Sequence, residues 1–392
     1  MKKQIISFIP EWFKYTYRLL RFQLAKSSKG LVYDPIFPSA EGVFWGGYHD
    51  VNLERNGKLL THRLESTKDW TLKAYDKHVS ICQYDLETQN LVEVANTRLW
   101  SFQQGARLRW YDDKKIIFNG HYDNEPSTLI CDIEDNVISK FNSDPYYDIA
   151  GNHLTFVNYE YIFSQRPGYG YYNYKSQNID QTNLWIANNM DRRPAIAASE
   201  AEIRSSLNLR DSYYVNHPVL NEDGTLVFFL VIVEGEKRKA IGMVYNIENR
   251  ELIKVFHERF VSHFVWISKN ELFLTTYNSD GIWKAFEVFI SESEVKYMGI
   301  DEINFDCHPC VNPVNINMLC LDTYPDNKGL QDVFLFDRKS KKLRRIKRFF
   351  APFRYRGEVR CDLHCRFDSL GSNIYADFTS LGSRNIARIS ND

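Results

Sequence analysis

Four histidines in like settings are the residues of this chain best suited to chemistry. His217, His263, His308 and His364 stand 46, 45 and 56 residues apart. Each opens a stretch of strand, polar turn and strand: VNHPVLNEDGTLVFFLVI, SHFVWISKNELFLTTY, CHPCVNPVNINMLCLDTY and LHCRFDSLGSNIYADFT. Convergent imidazoles bind a divalent cation or move protons near neutral pH. Asp362 and Arg360, close before His364, add a carboxylate and a cation to that group. The plain alternative for each histidine is a hydrogen bond to the neighbouring unit of the repeat.

A period near 45 residues with four short strands per unit is the signature of a β-propeller blade. The same skeleton appears earlier as GGYHDVNLERNGKLLTHRL, GARLRWYDDKKIIFNGHY and PYYDIAGNHLTFVNY, which brings the count to seven units. The turns ERNGK, NEDGT and SLGSN carry Asn, Asp and Gly where a tight hairpin needs positive φ or side-chain bonding to the backbone. Third strands follow as HVSICQYD, TLICDIE, NLWIANN, AIGMVYNI, KAFEVFI, DVFLFD and NIARIS. The fold class expected is therefore all-β, a seven-bladed propeller with a short N-terminal amphipathic helix. Residues 1–29 form the N-terminal segment and 30–392 the propeller. The last unit has no room for a fourth strand, so GLVYDPIFP at 30–38 is expected to pair with it and close the ring.

In a propeller the first strand of each blade lines the channel, so the four histidines should share one mouth. Loops joining second and third strands return to that face. They bring Asp322, Thr323 and Tyr324 of DTYPDNKG, Thr379, Ser380 and Arg384 of FTSLGSR, and Asn119 and His121 of NGHY. Gln103 and Gln104 of WSFQQG precede a channel strand and suit sugar hydroxyls. Arg166, Tyr169 and Tyr171 of RPGYGY suit stacking on a sugar ring and pairing with a carboxylate. For both motifs, packing on the next blade is the alternative. The insertion from Tyr161 to Gln181 exceeds a blade loop and is read as functional or as a lid.

Other classes are disfavoured. CHPC at 307–310 and CDLHC at 361–365 look like zinc motifs, but strand residues three apart face opposite sides, so Cys307 and Cys310 cannot both ligate without a bulge. Neither a glycine-rich phosphate loop nor a G-x-S-x-G elbow is present. With 49 basic and 50 acidic residues the net charge is −1, which gives no global pull toward nucleic acid. Seven cysteines, an odd number, fit reduced thiols and a cytoplasmic location. Pro10 to Lys26 mixes aromatic and basic residues as an amphipathic helix does, read as packing on the propeller's flank or as peripheral contact with a membrane surface.

The segments LWSFQQG, RPGYGY, NHPVLNEDG, SHFVW, LDTYPD and RCDLHCRF resemble motifs of bacterial seven-bladed propellers related to oligogalacturonate lyase, over about Gly46 to Arg388. That resemblance implies a divalent metal, usually manganese, held through histidines and a glutamine, and cleavage of oligogalacturonides by β-elimination. Carried onto this chain, His364 matches a metal histidine, with Cys365 where a proline is usual. His308 and His263 are both matches for the other. Asp362 stands where the lyases have a second histidine, and it can ligate a hard cation. The expected division of labour has His308, His364 and Asp362 on the metal and His217, His263, Arg360 and Arg384 in catalysis. Gln103, Gln104, Arg166, Tyr169, Asp322 and Tyr324 would bind substrate. The expected partner is an acidic sugar or oligosaccharide. A second reading stays open: a binding or assembly protein, or a glycosyltransferase, for surface-polysaccharide synthesis at the inner membrane face.

Overall fold

Turn chemistry sets the blades. In ERNGK, Asn56 and Gly57 take φ of 52° and 76°, the mirror-image turn whose twist matches that of antiparallel strands. Elsewhere a side-chain oxygen does the work. Asn221 Oδ1 accepts from the backbone of Thr225 (2.9 Å) and Leu226 (3.0 Å), and Asn312 Oδ1 from Val314 and Asn315 (both 3.0 Å). Gly224, at φ 74°, also lies against the preceding blade, where a Cβ would come within 2.4 Å of the Ala150 carbonyl oxygen.

The computed structural model describes residues 42–391, apart from 66–70, 173, 191, 236–237, 257–259, 279–280, 292–293, 353–354 and 380–382, together with Tyr17, Leu20 and Pro35–Phe37. These residues form seven antiparallel sheets arranged as a propeller. From the axis outward the first blade holds Val43–Trp45, Lys58–Leu64, Val79–Asp85 and Leu91–Thr97, with Glu54–Arg55 also paired to its second strand. The second holds Arg109–Trp110, Lys115–Tyr122, Glu125–Asp132 and Val137–Asn142. The third holds Tyr146–Ala150, His153–Phe156, Leu184–Asn188 and Ala195–Ala198. Blades four to six begin with the inner strands Tyr213–Leu220, Phe260–Ser268 and Pro309–Asn312, each followed by three more in order. The seventh has Arg366–Phe367, Asn373–Phe378 and Asn385–Ser390.

The outer edge of that last sheet is taken by the other end of the chain. Pro35 bridges Ala387, and the Ile36 amide donates to the Ile386 carbonyl at 3.0 Å. The Asn385 amide group donates to the Phe37 carbonyl at 2.8 Å. Phe37 is buried and stacks on Phe44 at 4.2 Å. The rest of the 30–38 segment lies outside the described residues. So does the helix expected at 10–26, of which only Tyr17 and Leu20, both exposed, are described. Among the described residues no helix is long and apolar enough to cross a membrane. All seven cysteines are free thiols. Cys307 packs in an apolar cluster, and Cys310 faces Cys320 across the sixth blade.

Apolar side chains fill the spaces between blades, and buried charges are embedded among them, most completely around Asp377. Asp377 is fully buried and pairs with Arg366 at 2.9 Å and with Arg384 at 2.7 Å. It also accepts from the Gly46 amide at 3.1 Å, while Arg366 donates to the carbonyls of Gly47 (3.3 Å) and Tyr48 (3.2 Å). The seventh blade thus fixes the loop that leaves the first blade's inner strand. Replacing Asp377 by Asn leaves two buried guanidinium groups without their counter-charge. The expected loss is about 3–5 kcal/mol in urea denaturation. A loss below about 1 kcal/mol, the scale of an exposed pair, would contradict this account.

Candidate functional site

Irregular backbone within two inner strands, and the start of two others, places the histidines. His217 and His263 lie inside their inner strands, where pairing jumps between Asn216 and Val219 and between Val261 and Phe264. His308 and His364 come just before Pro309–Asn312 and Arg366–Phe367. A bulge re-aims the side chain it carries, and His217 and His364 have the positive φ values (51° and 43°) that such a kink imposes. A fifth histidine joins them. His49 sits in the first-blade loop held by Asp377, and its ring centroid is 5.3 Å from that of His308. His308 is in turn 4.1 Å from His263 and 4.4 Å from His364. Tyr48 stacks on His217 at 5.1 Å and meets His364 edge-on at 4.9 Å.

Each imidazole has its Nδ1 occupied. His308 bonds the Asp322 carboxylate at 2.9 Å and His263 bonds Asp306 at 2.9 Å. His364 and His49 bond the carbonyls of Gly47 (2.9 Å) and Pro309 (2.8 Å), and His217 bonds the Tyr147 hydroxyl. Burial, reinforced by neighbouring imidazoles, holds His49, His217 and His364 well below the ordinary histidine pKa. His263 is lowered too, because burial and the adjacent His308 outweigh the pull of Asp306. Burial acts the same way on His308, but there Asp322, with Asp362 and Asp306, prevails and the pKa is raised.

Three of these buried groups come together closely. His308, Asp362 and His364 each offer a ligand atom, and the three atoms lie within 4.8 Å of one another. The Nε2 of His364 is buried with no hydrogen-bond partner. A small cavity of about 90 Å³ opens nearby between Tyr48, Tyr169, His217, His263, Tyr324 and three arginines, Arg166, Arg238 and Arg360. The Tyr324 hydroxyl lies 3.4 Å from the Nε2 atoms of both His263 and His308. Arg360 is committed to Asp362 (2.8 Å) and to the Tyr169 hydroxyl (2.6 Å). Arg166 lies over the Tyr169 ring at 4.4 Å, and Arg238 bonds the Tyr214 hydroxyl at 2.9 Å.

Several expected site residues lie elsewhere or do other work. Arg384 is fully buried, its guanidinium spent on Asp377 and on the Phe102 carbonyl (2.8 Å), so it is not a rim cation. Asp322 does not line the cavity: it accepts from the amides of His308 and His364, each at 2.8 Å, and orients both. Gln103 and Gln104 are buried behind the mouth. The first donates to the carbonyls of Glu358 (3.3 Å) and Arg360 (3.0 Å), the second to the Tyr147 hydroxyl (3.4 Å). Asn119 is buried and bonds Tyr171, which stacks on Tyr159 at 4.0 Å; His121 is exposed and away from the cavity. Thr379 is buried, and Ser380 lies outside the described residues. The insertion begins with the helix Tyr159–Gln165, capped by Asn158, and is built into the wall. There the Gly168 amide donates to Glu358 at 2.6 Å and its carbonyl accepts from the Gln103 amide at 3.0 Å.

Sequence reasoning passed over His49, Asp306, Tyr147 and Arg238. Two signals were available: GGYHD occupies the phase of the other histidine-bearing strands, and EGEKRKA joins the second and third strands of a blade, the class of loop that returns to this face.

No protein-family model matches the sequence, and no curated protein does either. Solved structures do match. An oligogalacturonate lyase in complex with manganese superposes with a TM-score of 0.66 at 13% identity, covering 93% of this chain and 94% of the other. The oligogalacturonate lyase of Vibrio parahaemolyticus gives 0.65 at 11% identity, with 93% and 95% covered. A puromycin-hydrolysing peptidase of Mycobacterium tuberculosis gives 0.54 at 9% identity, with 92% of this chain but 55% of that one covered. The chain thus shares the seven-bladed arrangement of the oligogalacturonate lyases along nearly the whole length of both.

Proposed function

We propose that the mouth binds the carboxylate-bearing end of an acidic sugar and promotes β-elimination with the help of a divalent metal. The observation that carries this reading is the convergence of His308, His364 and Asp362 within 4.8 Å, next to Tyr324 and Arg360 of a cavity that three arginines help to line. The donor set fits a metal. A backbone carbonyl can only accept, so Nδ1 of His364 carries the proton and its unpartnered Nε2 presents a lone pair. Nδ1 of His308 is likewise taken by Asp322, which orients the ring as carboxylates do behind metal-bound imidazoles. Two imidazole nitrogens and a carboxylate oxygen suit manganese, iron or zinc. The chemistry such a cation supplies when bound is polarisation of the sugar carboxylate, which acidifies the carbon-bound proton next to it.

The chain's own residues do the rest. Arg166 and Arg238 hold the ligand carboxylate against the cavity wall by charge-assisted hydrogen bonds. His263, neutral at neutral pH, accepts the proton at Nε2, and Asp306 at Nδ1 stabilises the imidazolium as it forms. The electron pair left on carbon closes a double bond to its neighbour as the glycosidic oxygen departs, and that oxygen takes the proton back from the His263 imidazolium to end as a hydroxyl. Tyr48 and Tyr169 close the sides of the cavity and keep bulk water from the carbanion-like centre.

Three outcomes are expected. Elemental analysis of purified protein should find about one divalent metal ion per chain and His364→Ala should remove it; a metal-free wild type that stays metal-free after dialysis against manganese overturns the assignment. His263→Ala should lower kcat for formation of unsaturated uronate, followed by its absorbance, by about 10²–10⁴-fold with little change in KM. An unchanged kcat would remove His263 from the reaction. In the apoprotein, nitrogen NMR of labelled imidazoles should find His49 and His364 neutral and protonated at Nδ1, since both face carbonyls. The opposite tautomer at His364 would point its lone pair away from the proposed metal.

A further inference from the structure

Charge is spread unevenly along this chain. The segment RKSKKLRRIKR, from Arg338 to Arg348, holds eight cations and no carboxylate in a molecule whose net charge is −1. It forms the turn between the third and fourth strands of the sixth blade and most of that outer strand, Lys342–Phe350. Cations on an edge strand deter pairing with another chain, and a few suffice for that. Glu271, Glu287 and Asp332 balance Arg338, Lys341, Arg345 and Arg348. Lys339 and Lys342, both exposed, make no ion pair among the described residues. The turn's own carboxylate, Asp337, is bent back to accept from the amides of Lys339 (2.9 Å) and Ser340 (3.3 Å).

These lysines border apolar side chains on the face opposite the mouth. His308 and His364 precede the inner strands of the sixth and seventh blades, so the turns that end those strands lie on the far side of the ring. There Val314, Ile316 and Leu370 are 68%, 50% and 72% exposed. Hydrogen bonds knit them into one surface. The side-chain amides of Asn312 and Asn391 both donate to the Gly371 carbonyl at 2.9 Å, and the Asn391 carbonyl accepts from Arg344 at 3.2 Å. Arg338 donates to the Ile316 carbonyl at 3.1 Å. Gly371 lets the two turns meet, since at φ 67° a Cβ would stand 2.3 Å from Oδ1 of Asn312.

Single exposed apolar residues are ordinary. Three on adjoining turns beside exposed lysines make a surface suited to the headgroup layer of an anionic membrane, whereas a nucleic acid would be served by the cations alone. The stretch 10–26 repeats that composition, with Tyr17 and Leu20 exposed. The chain joins the ring beside this surface, at Pro35, which bridges Ala387 of the strand that ends at Ser390.

We infer that the far face of the sixth and seventh blades docks on an anionic lipid surface, with Val314, Ile316 and Leu370 entering the headgroup layer, Lys339 and Lys342 meeting its phosphates, and the mouth turned to the solution. Co-sedimentation of the full chain with vesicles of phosphatidylcholine alone, and of phosphatidylcholine and phosphatidylglycerol in equal parts, tests this. Wild type is expected on the mixed vesicles and not on the neutral ones, and its binding should weaken as salt is raised. The double variant Lys339→Gln, Lys342→Gln should bind at least about tenfold more weakly, and so should Val314→Ser, Leu370→Ser. All four side chains are exposed, so the fold is retained, and an unchanged urea midpoint checks that. Equal binding to both kinds of vesicle, or to neither, would overturn the docking face. So would both double variants binding as tightly as wild type, which would move the contact to another part of the chain. A duplex DNA oligonucleotide that binds wild type while the vesicles do not would assign the cations to nucleic acid and overturn it as well.

Discussion

The arrangement of the mouth depends on one buried carboxylate. Asp322 accepts from the backbone amides of His308 and His364 and from the His308 ring, all at 2.8–3.0 Å, and so joins the sixth blade to the seventh. The need for it follows from the kinks that aim the histidines. Where an inner strand leaves its ladder, its amides lose their partners, and a buried amide without an acceptor costs as much as a lost hydrogen bond. A polar side chain on a second strand, of the same blade or of the neighbouring one, repairs that loss. Thr275 does so for the His263 amide (3.4 Å), Asp322 for His308 and Asp377 for Gly46 (3.1 Å). Aiming the imidazoles and repairing the sheet are thus one construction.

This division explains how far the sequence could be read. Seven units and the phase of four histidines were legible because strand, turn and strand recur with strong apolar patterning and with turn residues of known conformation. The direction of side chains around the kinks was not, since a single inserted residue reverses which face a strand presents. Polar residues near the ends of second strands were legible as polar and no more. Tyr324 and Asp322, two residues apart in LDTYPD, divide between the cavity and the buried network beneath it. Arg384 and Arg360 likewise look alike in sequence, yet one balances Asp377 in the core and the other bonds Asp362 at the mouth. Composition cannot separate a polar group that meets a ligand from one that satisfies its neighbours. His49 and Asp306 went unread for a related reason: their partners, Pro309 and His263, come from other blades.

The edge contact between Pro35–Phe37 and the final strand has a consequence in time. The Phe37 backbone and the Asn385 side chain that clamps it are 348 residues apart. On a ribosome adding about 5–20 residues each second, the early segment waits on the order of tens of seconds before its acceptor strand exists. Six blades can stack as they emerge, each burying its face on the one before. The ring itself locks only once the last blade has emerged, and throughout that interval the first blade's outward face, the Phe37 backbone and the loop bearing His49 are without their final neighbours.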